Sequence, residues 1–168
     1  IVNIPDANFK AKLLAADITN TIASDQSFED PISFVKIDSN NDGEIQVSEA
    51  LLIKYLNVSG VANNNGSISD LTGVQTFTNL YILNCGFNQI TSIDVSGLTN
   101  LTYLDCSFNQ IPNLDVSGLT NITYLSCRYN QIPNLEVSGL TNLTHLDFGY
   151  NQITSLDVSG LTNLTYLN

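Results

Sequence analysis

The sequence predicts an α/β solenoid, in which successive chain turns lay a parallel sheet along one face and a helical cap closes the N-terminal end. Three observations carry that expectation. A 21-residue unit recurs through the second half of the chain, so that Cys85, Cys106 and Cys127 fall at one phase of it and the next step reaches Phe148. Within a unit such as "LTYLDCSFNQIPNLDVSG", residues 101–118, the alternation Leu-x-Cys has the period of two of a half-buried strand. Residues 1–54 do not repeat, and their apolar spacing is helical.

Within residues 1–54, "IPDANFKAKLLA" sets Phe9, Leu13 and Leu14 on one stripe, with Pro5 suited to a first helical turn. Asp30-Pro31 reads as a second helix start leading into "ISFVKI", and "VSEALLIK" as a further helix. Such a cap is expected because a solenoid's end unit otherwise exposes core and sheet edge.

Between those two segments lies "DSNNDGEIQVSE", residues 38–49, which fits the twelve-residue EF-hand loop at each demanding position. Asp38, Asn40 and Asp42 stand at positions one, three and five, Gly43 supplies the sharp turn at six, and Glu44 offers its main-chain carbonyl at seven. Glu49 closes the loop at twelve. A hard cation wants six or more oxygens in a flexible ring, so calcium is the expected cofactor. One unpaired loop wedged between cap segments points to a structural ion rather than to a sensor that opens a groove.

The array is expected to fill residues 55–168. "YLNV" at 55–58 is an irregular first strand, followed by the longer "ANNNGSI" loop; four full units start at Leu80, Leu101, Ile122 and Leu143, and a truncated one at Leu164. Leu101, Leu104, Cys106, Ile111, Leu114, Val116 and Leu119 should point inward and stack on their equivalents. Asn88, Asn109, Asn130 and Asn151 close the strands, where an amide can satisfy turn backbone groups. Asp94, Asp115, Glu136 and Asp157 form a like-charge column, read as caps on turn amides.

This pattern resembles the leucine-rich repeat in a 21-residue bacterial form. The Cys column and the "LDVSGLTNL" turn resemble secreted surface proteins of the internalin-like kind. That resemblance implies a curved parallel sheet on the inner face of a leucine-rich-repeat solenoid, a secreted or cell-surface location, and a module that binds a partner protein there. It implies no catalysis.

Charge and composition narrow the choice. Net charge is -11 with five Lys plus Arg, which excludes a phosphate-binding surface for nucleic acid or anionic membrane. No apolar run is long enough to span a bilayer, so membrane insertion is not expected. Three cysteines cannot all pair, and their spacing is that of the repeat rather than of a zinc or redox motif, so they read as buried thiols. The chain holds no Met, so Ile1 is not an initiator and the sequence is expected to be a processed or excised piece. "LTNLTYLN" starts a strand and stops, leaving Leu164 and Leu167 facing solvent; either a longer array continues there or two chains abut at that edge.

Candidate recognition residues follow from the same period. One inner-face column reads Ile82, Tyr103, Tyr124, His145, Tyr166; a second reads Phe87, Phe108, Tyr129, Tyr150; between them run Asn84, Asp105, Ser126 and Asp147. An exposed aromatic patch marks a binding surface. Tyr103, Phe108, Tyr124, Tyr129, His145 and Tyr150 are therefore the expected contacts, with Asp105 and Asp147 attracting a basic partner group and Arg128 standing diagonally between them. A host or surface protein is the expected partner and a glycan the alternative. Flat, coplanar rings would favour the sugar; rings standing edge-up would favour a side-chain anchor. His145 is the single histidine, so neither a zinc site nor a catalytic triad can be assembled around it.

Overall fold

The computed structural model describes residues 1–26, 33–61 and 67–168. Strands β1 (Ala23–Ser24), β2 (Tyr55–Asn57), β3 (Ile82–Asn84), β4 (Tyr103–Asp105), β5 (Tyr124–Ser126), β6 (His145–Asp147) and β7 (Tyr166–Leu167) form one sheet in sequence order. β1 pairs antiparallel with β2, and every later pair is parallel. The register joins equivalent residues, as in Tyr103↔Tyr124 and Leu104↔Leu125.

Each turn hands its polar backbone to the next. The Cys106 amide donates to the Ser126 carbonyl at 2.9 Å, Gln110 to Ile90 at 2.9 Å and Thr123 to Thr102 at 2.8 Å. Buried backbone groups must find partners, and the repeat supplies them at a fixed offset. Where the backbone cannot, asparagine does. Asn109 Nδ2 lies 3.1 Å from the Cys85 carbonyl, 3.0 Å from that of Cys106 and 3.1 Å from that of Ser107, while its Oδ1 accepts from the Ile90 amide at 2.9 Å. Asn130 repeats this arrangement one turn later. Leu101, Leu104, Cys106, Ile111, Leu114, Val116 and Leu119 are all buried in the column expected of them. The three cysteines are unpaired and buried, and burial pushes the Cys127 thiol up to about 12, so they remain protonated packing groups. On the opposite wall Asp94 accepts from the Ser96 amide at 3.0 Å and hydroxyl at 2.7 Å, and Asp115 and Asp157 accept from Ser117 and Ser159, as turn caps should. Those bonds hold the Asp94 carboxyl below its ordinary value.

The cap is less helical than its sequence suggests. Helix α1 spans Ala7–Leu14 and buries Phe9 and Leu13, while Leu14 is half-buried. Its N-cap is Asp6, whose Oδ1 accepts from the Asn8 and Phe9 amides at 2.9 Å, so Pro5 precedes the helix instead of starting it. Asp6 Oδ2 reaches across to the array, accepting from Ser69 N and Oγ at 2.9 Å. The Asp30-Pro31 helix start lies outside the described residues, as does most of the "ANNNGSI" loop. Residues 33–37, expected to continue that helix, are extended instead: Val35 N donates to the Ala23 carbonyl at 2.9 Å and Phe34 bridges to Ser24. β-branched and aromatic residues there gain more from the sheet edge than from a helix. Helix α2 is one turn, Val47–Ala50, not the whole of "VSEALLIK". It stops because Ile53 turns into the core and Lys54 N bonds to the Ser24 carbonyl at 2.8 Å.

At the other end Tyr166 and Leu167 are exposed, as expected, but Leu164 is half-buried against the core. Among the described residues no helix is long and apolar enough to cross a membrane.

Candidate functional site

The sheet's solvent face carries two aromatic ladders. In the first, Tyr103, Tyr124, His145 and Tyr166 stack with ring centroids 4.0–4.3 Å apart and planes within 10°. In the second, Phe87, Phe108, Tyr129 and Tyr150 stack at 4.1–4.4 Å with planes within 20°. The second ladder has an unusual backbone: its four residues have φ between 53° and 57°. Left-handed backbone costs a bulky L-residue about 1–2 kcal/mol. It persists because Phe87, Phe108 and Tyr129 each sit in a turn bonded to the next, Phe108 N to the Arg128 carbonyl at 2.9 Å, and because aligned rings return about 0.5–1.5 kcal/mol per pair.

Stacking changes the exposure expected of these residues. Tyr103, Phe108, Tyr124, Tyr129 and His145 are half-buried, since neighbouring rings cover their faces, and Tyr150 at the open end is 67 % exposed. Burial, with Tyr124 and Asp105 nearby, pushes the Tyr103 phenol up, and burial does the same to Tyr124. Both stay neutral near pH 7. Burial pushes the His145 imidazole down, with Asp147 pulling weakly the other way.

The charged members divide unevenly. Asp147, expected to meet a partner, is 5 % exposed and already engaged: Arg128 Nη1 lies 3.5 Å from its Oδ2, and Asn168 Nδ2 3.2 Å from its Oδ1. Arg128 therefore does not bridge two aspartates. Its guanidinium lies 5.0 Å from the Tyr129 ring centroid, 5.6 Å from Phe108 and 5.9 Å from Tyr150, a cation–π contact along the second ladder. Its Nε is buried without a hydrogen-bond partner among the described residues. Asp105 is half-buried and accepts from Ser107 N at 2.9 Å and Oγ at 2.5 Å.

The cap loop winds as its sequence requires, with Asn41 at φ 62° and Gly43 at φ 79°. Its oxygens face its own amides. Asp38 accepts from Asp42 N and Gly43 N at 3.2 Å each, and Asn40 Oδ1 from Asp42 N at 3.0 Å. Asp42 accepts from Glu44 N at 2.9 Å, and Glu49 from Ser39 N at 2.8 Å and Gln46 N at 3.0 Å. Burial alone would raise the Glu49 carboxyl, but these bonds outweigh it and hold it low. The Glu44 carboxylate ties to Lys10 at 2.7 Å, consistent with a ligand role only for its main-chain carbonyl. Among the described residues no three His, Cys, Asp or Glu side chains converge as a metal-binding group. The donor set is all hard oxygen, from the Asp38, Asp42 and Glu49 carboxylates, the Asn40 amide and the Glu44 main-chain carbonyl, which fits calcium in its chemistry.

The Leucine Rich Repeat family model matches residues 100–122 and 142–164. The functional domain of InlJ from Listeria monocytogenes, described as including a cysteine ladder, superposes with a TM-score of 0.77 at 35 % identity, over 98 % of this chain and 31 % of that one. The fold is a leucine-rich-repeat solenoid. The internalin InlF of Listeria monocytogenes matches this solenoid at a TM-score of 0.72 and 25 % identity, over 97 % of this chain and 42 % of that one. A leucine-rich-repeat protein of Leptospira interrogans matches at 0.59 and 26 %, over 70 % and 32 %. The solenoid is thus internalin-like, and it spans less than half the length of these relatives. A comparison with curated protein sequences finds no significant match.

One member of the face escapes the 21-residue count. Tyr55 pairs in register with Ile82 and so heads the first ladder, but the longer first unit puts it out of phase. The signal was local: "YLN" at 55–57 matches "YLD" at 103–105.

Proposed function

We propose that this solenoid is a secreted or cell-surface recognition module that binds a host or surface protein with the two aromatic ladders, while a structural calcium ion steadies its cap. The ring geometry carries the reading. Rings stacked face to face along the sheet present their edges and hydroxyls outward, which suits insertion among a partner's side chains. The same stacking covers the faces a sugar ring would need, so it counts against the glycan alternative. Leucine-rich-repeat proteins generally bind proteins, which agrees.

The six parallel strands β2 to β7 at ~4.8 Å spacing give a face only about 24 Å wide. That approaches the ~800 Å² per partner of a standard interface at best, so affinity is modest. In the cap, Asp38, Asn40, Asp42, the Glu44 main-chain carbonyl and Glu49 would hold the calcium, which would supply a cross-link within the loop.

The test is capture of a partner from host extracts by the immobilised chain, with and without calcium, beside alanine variants. Tyr124→Ala should weaken binding by on the order of 2 kcal/mol with little change in folding. Full binding by Tyr103→Ala, Tyr124→Ala and Tyr129→Ala alike would place recognition elsewhere, on the convex turns.

A further inference from the structure

We infer that the slot between Tyr55 and Tyr103, floored by Ile82, receives one arginine side chain of a basic partner protein, with Asp105 as its counter-charge. This rests on the reading of the sheet face as a protein-binding surface, and it names the anchor.

The first ladder has one missing rung. Tyr55, Ile82, Tyr103, Tyr124, His145 and Tyr166 occupy successive positions in register, and only Ile82 is not a ring. Ile82 is 5 % exposed, low in the sheet face. Above it is a cavity of about 210 Å³ lined by Tyr55, Ile82, Asn84 and Tyr103. Pockets for small molecules run from roughly 300 to 1,000 Å³, so this one has the size for a single side chain. Two strand spacings separate the flanking tyrosines, ~9.6 Å. One planar group between them needs two contacts of ~3.5–4.0 Å, which fit, and a second would need three, which do not. Phe34 braces Tyr55 edge-on at 6.2 Å, so the slot has a fixed wall.

Charge decides which planar group. The molecule contains its own example: Arg128 lies against the aromatic rings of the second ladder and pairs with Asp147. Asp105 stands two strands before Asp147 at the same register position. The residue equivalent to Arg128 that would serve Asp105 is Gly86, where a Cβ would stand 3.4 Å from Asp105 Oδ1. Glycine supplies no cation there, and among the described residues neither ion pair includes Asp105. Asp105 neighbours Asn84, which lines the slot. A guanidinium held between Tyr55 and Tyr103 therefore has an aromatic face on each side and a carboxylate one strand across and two residues along from Ile82, a diagonal of about 8 Å in the sheet. A phenyl ring would fill the slot but leave Asp105 with no cation, bonded through Oδ1 to Ser107 alone among the described residues, and an ammonium is not planar. A net charge of -11 favours a cationic partner at longer range.

The probe is N-acetyl-arginine amide, titrated into the whole chain and followed by NMR, with the lysine and phenylalanine amides as comparators. Expected is a saturable shift of the Tyr55 and Tyr103 ring signals and the Ile82 methyl signals. It should be several-fold stronger for arginine than for lysine, and roughly fivefold to tenfold weaker in Asp105→Asn. Ile82→Phe and Ile82→Tyr, which restore the rung every other turn carries, should abolish it. A stronger response to the phenylalanine amide, or an arginine response that persists when the rung is filled, would overturn the assignment. Partner capture that survives Ile82→Phe but is lost in Tyr124→Ala would overturn the slot and leave the face reading intact.

Discussion

The array and the cap are held together in different ways. In the array a single local arrangement is copied, so that Asn109 and Asn130 make the same bonds to equivalent carbonyls and the middle leucine of each strand from β2 to β6 is buried. In the cap almost every contact is unique: Asp6 both caps α1 and ties to Ser69, Val2 N bonds to the Ile45 carbonyl at 2.7 Å, and Lys10 pairs with Glu44. Periodicity lets one residue's environment be inferred from its neighbours 21 positions away. A unique contact offers no such redundancy.

The strongest way to break this contrast is to remove one asparagine from each region. Asn109→Ala strands the Ile90 amide in the core at about 1–3 kcal/mol, and it takes one donor of about 1 kcal/mol each from the Cys85, Cys106 and Ser107 carbonyls, which keep Asn88 Nδ2, Asn130 Nδ2 and Phe87 N. A loss of about 3 kcal/mol or more in urea unfolding is expected. Asn20→Ala removes three bonds, one to the Ala15 carbonyl and two from the Asp17 and Ile22 amides, but at an exposed turn. Its cost should stay within about 1 kcal/mol, because water replaces the lost partner. Equal losses would show that burial is not what separates the two regions.

That contrast also explains what could be read from the sequence. Strand positions, core column, asparagine closures and the two aromatic columns followed from the period, because each residue's neighbours are copies of itself. The helix expected through residues 33–37 did not form, since the Ala23 carbonyl that claims Val35 N belongs to a strand without any repeat signature. Asp147 reads as open in the sequence because its cover, Arg128, is a single departure from the Gly86, Ser107, Gly149 column. The missing rung at Ile82 was invisible as a slot until register placed Tyr55 beside it.

Calcium should act on the cap alone. With the free ion at about 100 times its Kd, binding to the folded state adds about 2.7 kcal/mol, which chelation removes. Glu49→Gln should remove most of it too. A melting curve unchanged in excess chelator would show that the loop closes through its own amides, as those of Ser39 and Gln46 already bond to Glu49.

Asp6 joins the two regions, so its loss is expected to be smaller but spatially informative. Asp6→Ala removes the N-cap of α1 and the bonds to Ser69 and Asp70, for about 1–2 kcal/mol. Hydrogen exchange should quicken in α1 while the amides of β4 to β6 keep their protection. Quickening across the whole sheet would mean that cap and array unfold as one cooperative unit.

The smallest expected effect is a pH dependence that comes from the array's one histidine. Burial in the stack between Tyr124 and Tyr166 lowers the His145 pKa, and Asp147 opposes this with a smaller pull. The folded chain therefore prefers the neutral imidazole. Its contribution to stability is complete above the unfolded value of about 6.5, and it declines as pH falls through that value toward the lower folded one. Asp6, Glu49 and Asp94 have lowered values and behave in the other sense of charge: their contribution is present above about 4 and is lost only below it. Two separate windows result. A shallow fall in melting temperature between about pH 7 and 5 belongs to His145, and the steeper acid loss belongs mainly to carboxylates of the cap and turns. His145→Phe keeps a ring in the ladder and removes the proton, so it should flatten the first window and leave the second unchanged. The change is a few tenths of a kcal/mol, because the ring edge remains in water and solvent screens its charge. A first window that persists in His145→Phe would have to come from groups other than the ladder.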